Sequence, residues 1–227
     1  MTRPTTSQPA KFSPKIFAGL NEDAVAEVFA AAQLRNVSAR RLIFATGDEA
    51  THVFVQRTGR ARYFRVTRTG EEVLLHLLTP GDTFGIGAIL EHPFPYIASA
   101  EATSDAEVLA WDNASIRKLA AFYPKIAENA LQIVLHYLKI YVNRHVGLMT
   151  KTADQRLAET LLNLGDRIGQ THPEGVEVDV TNGQLGALAD ISSFTTSRLL
   201  NAWQRDGAVS KSRGKVLIHS PEALLVE

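Results

Sequence analysis

Four turn signals set an almost regular beat in the first half of this chain. Gly47, Gly59, Gly70 and Gly81 fall 11 or 12 residues apart, within Thr46-Gly47-Asp48, Thr58-Gly59, Thr69-Gly70-Glu71 and Pro80-Gly81-Asp82. Glycine lets a chain reverse at little steric cost. Between these turns, over residues 41–111, lie short runs rich in Val, Ile, Leu, Phe and Tyr. Short strands at regular spacing predict a β-sandwich or barrel. Residues 60–66 alternate as a half-exposed strand should. Ahead of them, Val25, Val28, Phe29 and Ala32 recur at helical spacing within residues 21–34, with Asn21 as N-cap and Glu22 and Asp23 in the first turn.

Near Asn113 the pattern becomes helical. Leu131, Leu135, Leu138, Val142, His145 and Met149 step by 4, 3, 4, 3 and 4. That is the heptad spacing of a helix that pairs with another helix; a helix packed on its own domain is the alternative. Residues 151–168 form a further amphipathic helix, ending near Gly169.

The last fifty residues are compact. Residues 181–189 read as a short helix capped by Thr181, and Asp190-Ile191 as a turn. Residues 192–206 read as a second helix, capped by Ser192 and stopped by Gly207. A hairpin follows, with Ala208-Val209-Ser210 and Val216-Leu217-Ile218 around the basic turn Lys211-Ser212-Arg213-Gly214-Lys215. Helix, tight turn, helix and basic hairpin make a winged helix-turn-helix.

Composition excludes several chemistries. There is no cysteine, hence no disulfide, thiolate catalysis or cysteine-held iron–sulfur cluster. The apolar runs are far shorter than a membrane span. Residues 1–14 lack the apolar core of a signal peptide and read as a mobile tail, so a cytoplasmic chain is expected. No nucleophile elbow, phosphate loop, zinc-protease motif or plausible carboxylate pair occurs. No enzyme, catalytic residue, metal site or cofactor is therefore expected. The 24 basic and 24 acidic residues cancel, so a case for nucleic acid must be local. Residues 181–219 carry Arg198, Arg205, Lys211, Arg213 and Lys215 against Asp190 and Asp206, an excess of +3 that suits phosphate contact.

Taken in order, these segments resemble the bacterial Crp/Fnr family over about residues 17–220. The likeness rests on Leu42-Ile43-Phe44-Ala45-Thr46-Gly47-Asp48, Val53-Phe54-Val55-Gln56-Arg57-Thr58-Gly59 and Leu77-Leu78-Thr79-Pro80-Gly81-Asp82-Thr83-Phe84-Gly85. It continues in Asp154-Gln155-Arg156-Leu157-Ala158-Glu159-Thr160-Leu161-Leu162-Asn163-Leu164, then Gln184-Leu185-Gly186-Ala187-Leu188-Ala189 and Ser197-Arg198-Leu199-Leu200. The resemblance implies an α+β chain: a tail (1–15), a β-roll of the cyclic-nucleotide-binding, jelly-roll type (16–112), a dimerisation helix (113–149) and a winged helix-turn-helix (150–227). It implies a transcription regulator that binds double-stranded DNA at a two-fold symmetric operator as a homodimer, joined through Leu131, Leu135, Leu138, Val142, His145 and Met149. RNA polymerase and an unidentified small-molecule effector are candidate partners; a membrane is not.

The DNA-contacting set expected from this resemblance is Thr181, Ser192, Ser193, Phe194, Thr195, Thr196, Arg198, Lys211 and Arg213. Many relatives carry Glu where Phe194 stands, and Arg or another polar residue where Ser193 stands. Glu accepts from cytosine, whereas Phe can only touch a thymine methyl, so altered half-sites are expected. The effector pocket is expected to involve His76, Gly85, Ile86, Gly87, Tyr96, Ile97, Tyr141 and Val142. Cyclic-nucleotide-binding relatives hold ribose with Glu and phosphate with an Arg and a hydroxyl residue. Here Ile86 stands for that Glu, Tyr96 and Ile97 for the other two, and Tyr141 and Val142 for residues that contact the purine. A buried phosphate without a cation is disfavoured, so cyclic AMP dependence is not expected. An apolar or aromatic effector and a pocket filled by its own side chains are both open. So are a cyclic nucleotide held by non-standard contacts and a haem-based gas sensor using His76, His92 or His145.

Overall fold

Residues 12–224 are described in a computed structural model. The chain divides into two compact units: residues up to 63 with 77–136, and residues 64–76 with 137 onward. The first begins with helix α1 (Glu22–Ala30). The Asn21 side chain accepts from Ala24 N at 2.8 Å, satisfying an amide that would otherwise have no helical partner. The apolar spacing predicts helix as far as Leu34, but β1 (Gln33–Val37) has already begun there. Its pairing with β8 (Ala106–Asp112), from Gln33↔Ala110 to Val37↔Ala106, overrides the local helical pattern.

Between them lie β2 (Leu42–Phe44), β3 (His52–Thr58), β4 (Ala61–Val66), β5 (Glu72–Leu78), β6 (Thr83–Phe84) and β7 (Ser99–Ala102). The strand orders are β1-β8-β3-β6 and β2-β7-β4-β5, the two sheets of the expected roll. All four rhythmic glycines have positive φ. At Gly59 the requirement is absolute, since a Cβ there would lie 2.3 Å from Asp105 O. Residues 61–66 do not alternate cleanly; Ala61 and Phe64 are buried and the rest half-buried or exposed.

Trp111 is fully buried and donates from Nε1 to Val28 O at 2.8 Å. Phe17 meets its ring edge-on at 5.1 Å, so the N-terminal segment and α1 close one side of the core. Phe12 packs edge-on against Phe29 at 6.1 Å and Ile16 is fully buried. The tail is thus shorter than expected by at least residues 12–15; residues 1–11 lie outside the described residues.

Residues 113–149 are not one helix. α2 (Asn113–Phe122) ends at Tyr123, and α3 (Pro124–Thr150) begins at the proline. Proline disfavours helix in the residue before it but fits a first helical position. Tyr123 accordingly has φ −118° and ψ 82°. Over 27 residues α3 is about 40 Å long. Near its start Asn129, 4% exposed, donates to Ile16 O and Ala18 O at 3.0 and 2.8 Å.

The second unit contains α4 (Ala153–Ile168), β9 (Gln170–His172), β10 (Gly175–Asp179), α5 (Asn182–Ala189), α6 (Ser193–Arg205), β11 (Val209–Ser212) and β12 (Lys215–Ile218). Its sheet runs β11-β12-β10-β9. The hairpin β11–β12 is the expected wing; β9 and β10 extend it. Leu157, Leu161, Leu185, Leu200 and Val216 form the buried interior.

Candidate functional site

Local caps fix both helices of the helix-turn-helix. Thr181 Oγ1 accepts from Gln184 N at 3.2 Å, and Gln184 Oε1 accepts from Thr181 N at 3.0 Å. This reciprocal pair is a capping box. Asp190 ends α5 in the left-handed conformation at φ 53°. Ser192 Oγ then accepts from Thr195 N at 3.0 Å and starts α6. The helices cross closely because residue 186 is glycine. A Cβ there would lie 2.7 Å from Thr196 Oγ1 and 2.8 Å from Ile191 O.

That crossing removes one residue from the expected DNA-contacting set. Thr196 is fully buried, and its hydroxyl donates to Ser192 O at 3.0 Å. It packs against α5 with Leu200 and cannot reach a base. Ser193, Phe194 and Arg198 are exposed, and Thr195 is half-buried. Thr181 and Ser192 are exposed, with their hydroxyls engaged in capping. The outward face of α6 also includes Ser197, Asn201, Gln204 and Arg205, which border a shallow surface with Phe194 and Arg198. Continuing the helical period from Phe194 would have found these four.

Phe194 is 78% exposed at the start of this face. An unpartnered aromatic ring beside an arginine can meet a thymine methyl while the arginine reads guanine or binds phosphate. The wing reaches the same helix, since Lys211 Nζ donates to Asn201 Oδ1. Arg213 is exposed at the wing turn. Lys215 is committed elsewhere: its hydrogen bond to Glu177, at 2.5 Å, raises its pKa.

In the roll, Gly85 (φ 69°) begins a 3-10 turn, Ile86–Ile89. A Cβ on Gly85 would lie 2.8 Å from His52 O and 3.3 Å from the Tyr96 ring. Tyr96 is 6% exposed and stacks on Phe44 at 3.8 Å. Phe54 stacks on Phe44 and on Phe84, each at 5.4 Å. The Tyr96 hydroxyl accepts from His52 N at 3.0 Å and donates to His52 O at 2.9 Å. Burial pushes its pKa up. The interior beside Gly85 is thus an aromatic stack with a satisfied phenol. Ile86 is half-buried against this core, and Gly87 faces the Phe94 ring. Ile97 is 59% exposed and does not share this interior.

His76, Tyr141 and Val142 belong to the second unit. His76 is buried edge-on to Tyr137 at 4.9 Å, and Tyr137 stacks on Tyr141 at 6.5 Å. Burial raises the Tyr141 pKa. His92 and His145 are exposed, and no group of three His, Cys, Asp or Glu with metal-binding geometry occurs among the described residues. On α3 the heptad residues Leu131, Leu135, Leu138, Val142 and Met149 are 51–74% exposed, and His145 is exposed beside them. No described helix is long and apolar enough to cross a membrane.

Comparison with known proteins gives the same two parts. A family model described as cyclic nucleotide-binding domain matches residues 34–122, and one described as Crp-like helix-turn-helix domain matches residues 155–226. The chain is similar to the anaerobic regulatory protein of Aggregatibacter actinomycetemcomitans, 27% identical over 86% of this chain and 78% of that protein. It is similar to the CRP-like cAMP-activated global transcriptional regulator of Mycobacterium tuberculosis, 26% identical over 92% of this chain and 94% of that protein. Its fold resembles FixK2 from Bradyrhizobium japonicum, with a TM-score of 0.75, 21% identity and coverage of 85% and 95%. The roll, the helix-turn-helix and these matches agree: the chain belongs to the Crp/Fnr family of DNA-binding transcription regulators.

Proposed function

We propose that this regulator works as a homodimer paired along α3, reads a two-fold symmetric operator through Phe194, Arg198 and their neighbours on α6, and does not take cyclic AMP in its roll. The observation that carries the last point is the buried Tyr96 ring stacked on Phe44 at 3.8 Å. An aromatic residue stands where the family places a phosphate-binding arginine, and its hydroxyl is already paired with the His52 backbone. The Mycobacterium tuberculosis relative is described as cAMP-activated; the aromatic filling around Tyr96 is the reason for not carrying that property over to the present chain. Pairing is supported by the exposed heptad residues of α3, an apolar row that a single chain leaves in water. RNA polymerase is the further partner that this reading proposes.

The test is calorimetric titration of the purified chain with cyclic AMP and cyclic GMP. No heat of binding is expected; saturable binding with micromolar or tighter affinity would overturn the cyclic-nucleotide part. A second reading, an apolar effector, draws on a groove of roughly 480 Å³ lined by Ile86, Ile89, Leu90, Phe94, Ala130 and Val134, with Arg117 among its lining residues. Apolar walls suit a hydrophobic effector; Arg117, the cation of this lining, pairs with Glu91 at 3.5 Å.

A further inference from the structure

We infer that Arg144 is a positioning residue that sets the angle of the recognition helix α6 against α3, and that it ties the β4–β5 hairpin to the helix-turn-helix. This inference rests on the DNA-binding reading above. Arg144 lies between the heptad residues Val142 and His145. Its Nε and Nη2 donate to the two carboxylate oxygens of Asp190, each at 2.6 Å. Nη2 also donates to Ala187 O at 2.7 Å, and Nη1 to Leu74 O at 3.0 Å. One guanidinium therefore holds three elements of the second unit: α3, the end of α5 and the hairpin strand β5.

The place it grips is the turn that aims α6. Asp190 is the left-handed residue between α5 and α6, and the last carbonyls of α5 have no partner within the helix. Arg144 takes one of them. Arg156 takes another, donating from Nε to Ala189 O at 3.0 Å and from Nη1 to Lys151 O at 2.8 Å. Cations here also suit the negative end of the α5 dipole. Arg144 and Asp190 are only 19% and 27% exposed at their side chains, and a bidentate pair of this kind is directional as well as strong. Because α3 carries the pairing residues, this grip fixes where each α6 points relative to the dimer axis. It would thereby fix the separation of two recognition helices, about 34 Å for successive major grooves. The Leu74 contact gives the hairpin a direct hold on that angle.

The test compares the full-length wild type with Arg144→Ala, Arg144→Lys and Asp190→Asn. Each is titrated against the operator that the wild type selects from random duplexes, and against operators with one base pair added or removed at the centre. Arg144→Ala is expected to weaken operator binding by about 5-fold or more and to bind the three spacings alike, with affinity for unrelated DNA unchanged. Arg144→Lys, which cannot form the bidentate pair, should fall between it and the wild type. Hydrogen exchange in Arg144→Ala should quicken together at Leu74 and its neighbours and at residues 187–191, while the α4 interior stays protected. Asp190→Asn keeps a side chain that tolerates the left-handed turn and gives the same readout if Arg144→Ala does not fold. Operator affinity within 2-fold of wild type with an intact spacing preference, in both Arg144→Ala and Asp190→Asn, would overturn the inference. If the wild type selects no sequence, the DNA reading fails and the spacing claim falls with it. The joint exchange of hairpin and turn would then still decide whether Arg144 couples them.

Discussion

Gly186 has no room for a methyl group, since backbone at Ile191 O stands 2.8 Å from the site of its Cβ. Gly186→Ala should cost about 1–3 kcal/mol, read as a lower urea midpoint with unchanged slope. His52 gives the stability a pH dependence of known sign. Arg35 Nη2 donates to its Nε2 at 2.7 Å, so that nitrogen must be an acceptor and the ring neutral; Nδ1 faces Thr51 Oγ1 at 2.8 Å. Burial, then the Arg35 charge, lowers its pKa from 6.5, and Asp112 opposes them. The unfolded chain therefore takes up this proton first as pH falls. The contribution is full above pH 6.5 and is lost as pH drops from there towards the lower folded value. His52→Asn should flatten the thermal-melting profile in that window, and an unchanged profile would remove His52 as its cause.

Elements show what a sequence can and cannot disclose. The caps Asn21, Thr181 and Ser192 were legible because capping is a contact over three residues. The glycine turns were legible because positive φ restricts the residue type. The break at Tyr123 was missed because the helical period runs through it, although Pro124 marked it. The strands β9 and β10 were missed because they are short and held by non-local pairing, with Val178 opposite Val216. Thr196 was misplaced because a small polar residue looks like a surface residue until the close approach of α5 is known. The Arg144–Asp190 pair spans 46 residues and has no local signal. On α3, the exposed Leu138 belongs to the row that a partner helix would cover. Leu138→Lys should yield a monomer in sedimentation equilibrium and abolish specific DNA binding; a dimeric or fully active variant would contradict the pairing scheme.

At the scale of the whole molecule, the contacts divide the chain differently from its sequence segments. The tip of the β4–β5 hairpin, residues 64–76, groups with the DNA-binding half rather than with the roll from which it extends. The long helix is shared, its first part with the roll and the rest with the helix-turn-helix. Zero net charge conceals a local arrangement in which Lys215 pairs with Glu177 and Asp190 pairs with Arg144. Arg198, Arg205, Lys211 and Arg213 are the basic residues of α6 and the wing that these two pairs do not engage. Removing one phosphate-contacting cation lowers the salt dependence of binding by about one unit of slope, which Arg213→Ala should show with little change in sequence preference.

Selection from random duplex DNA decides whether a dimer reads DNA through two copies of the α6 face. The retained sequences should converge on an inverted repeat whose half-sites lie about one helical turn apart. Convergence on a single asymmetric half-site, or no convergence at all, would contradict it.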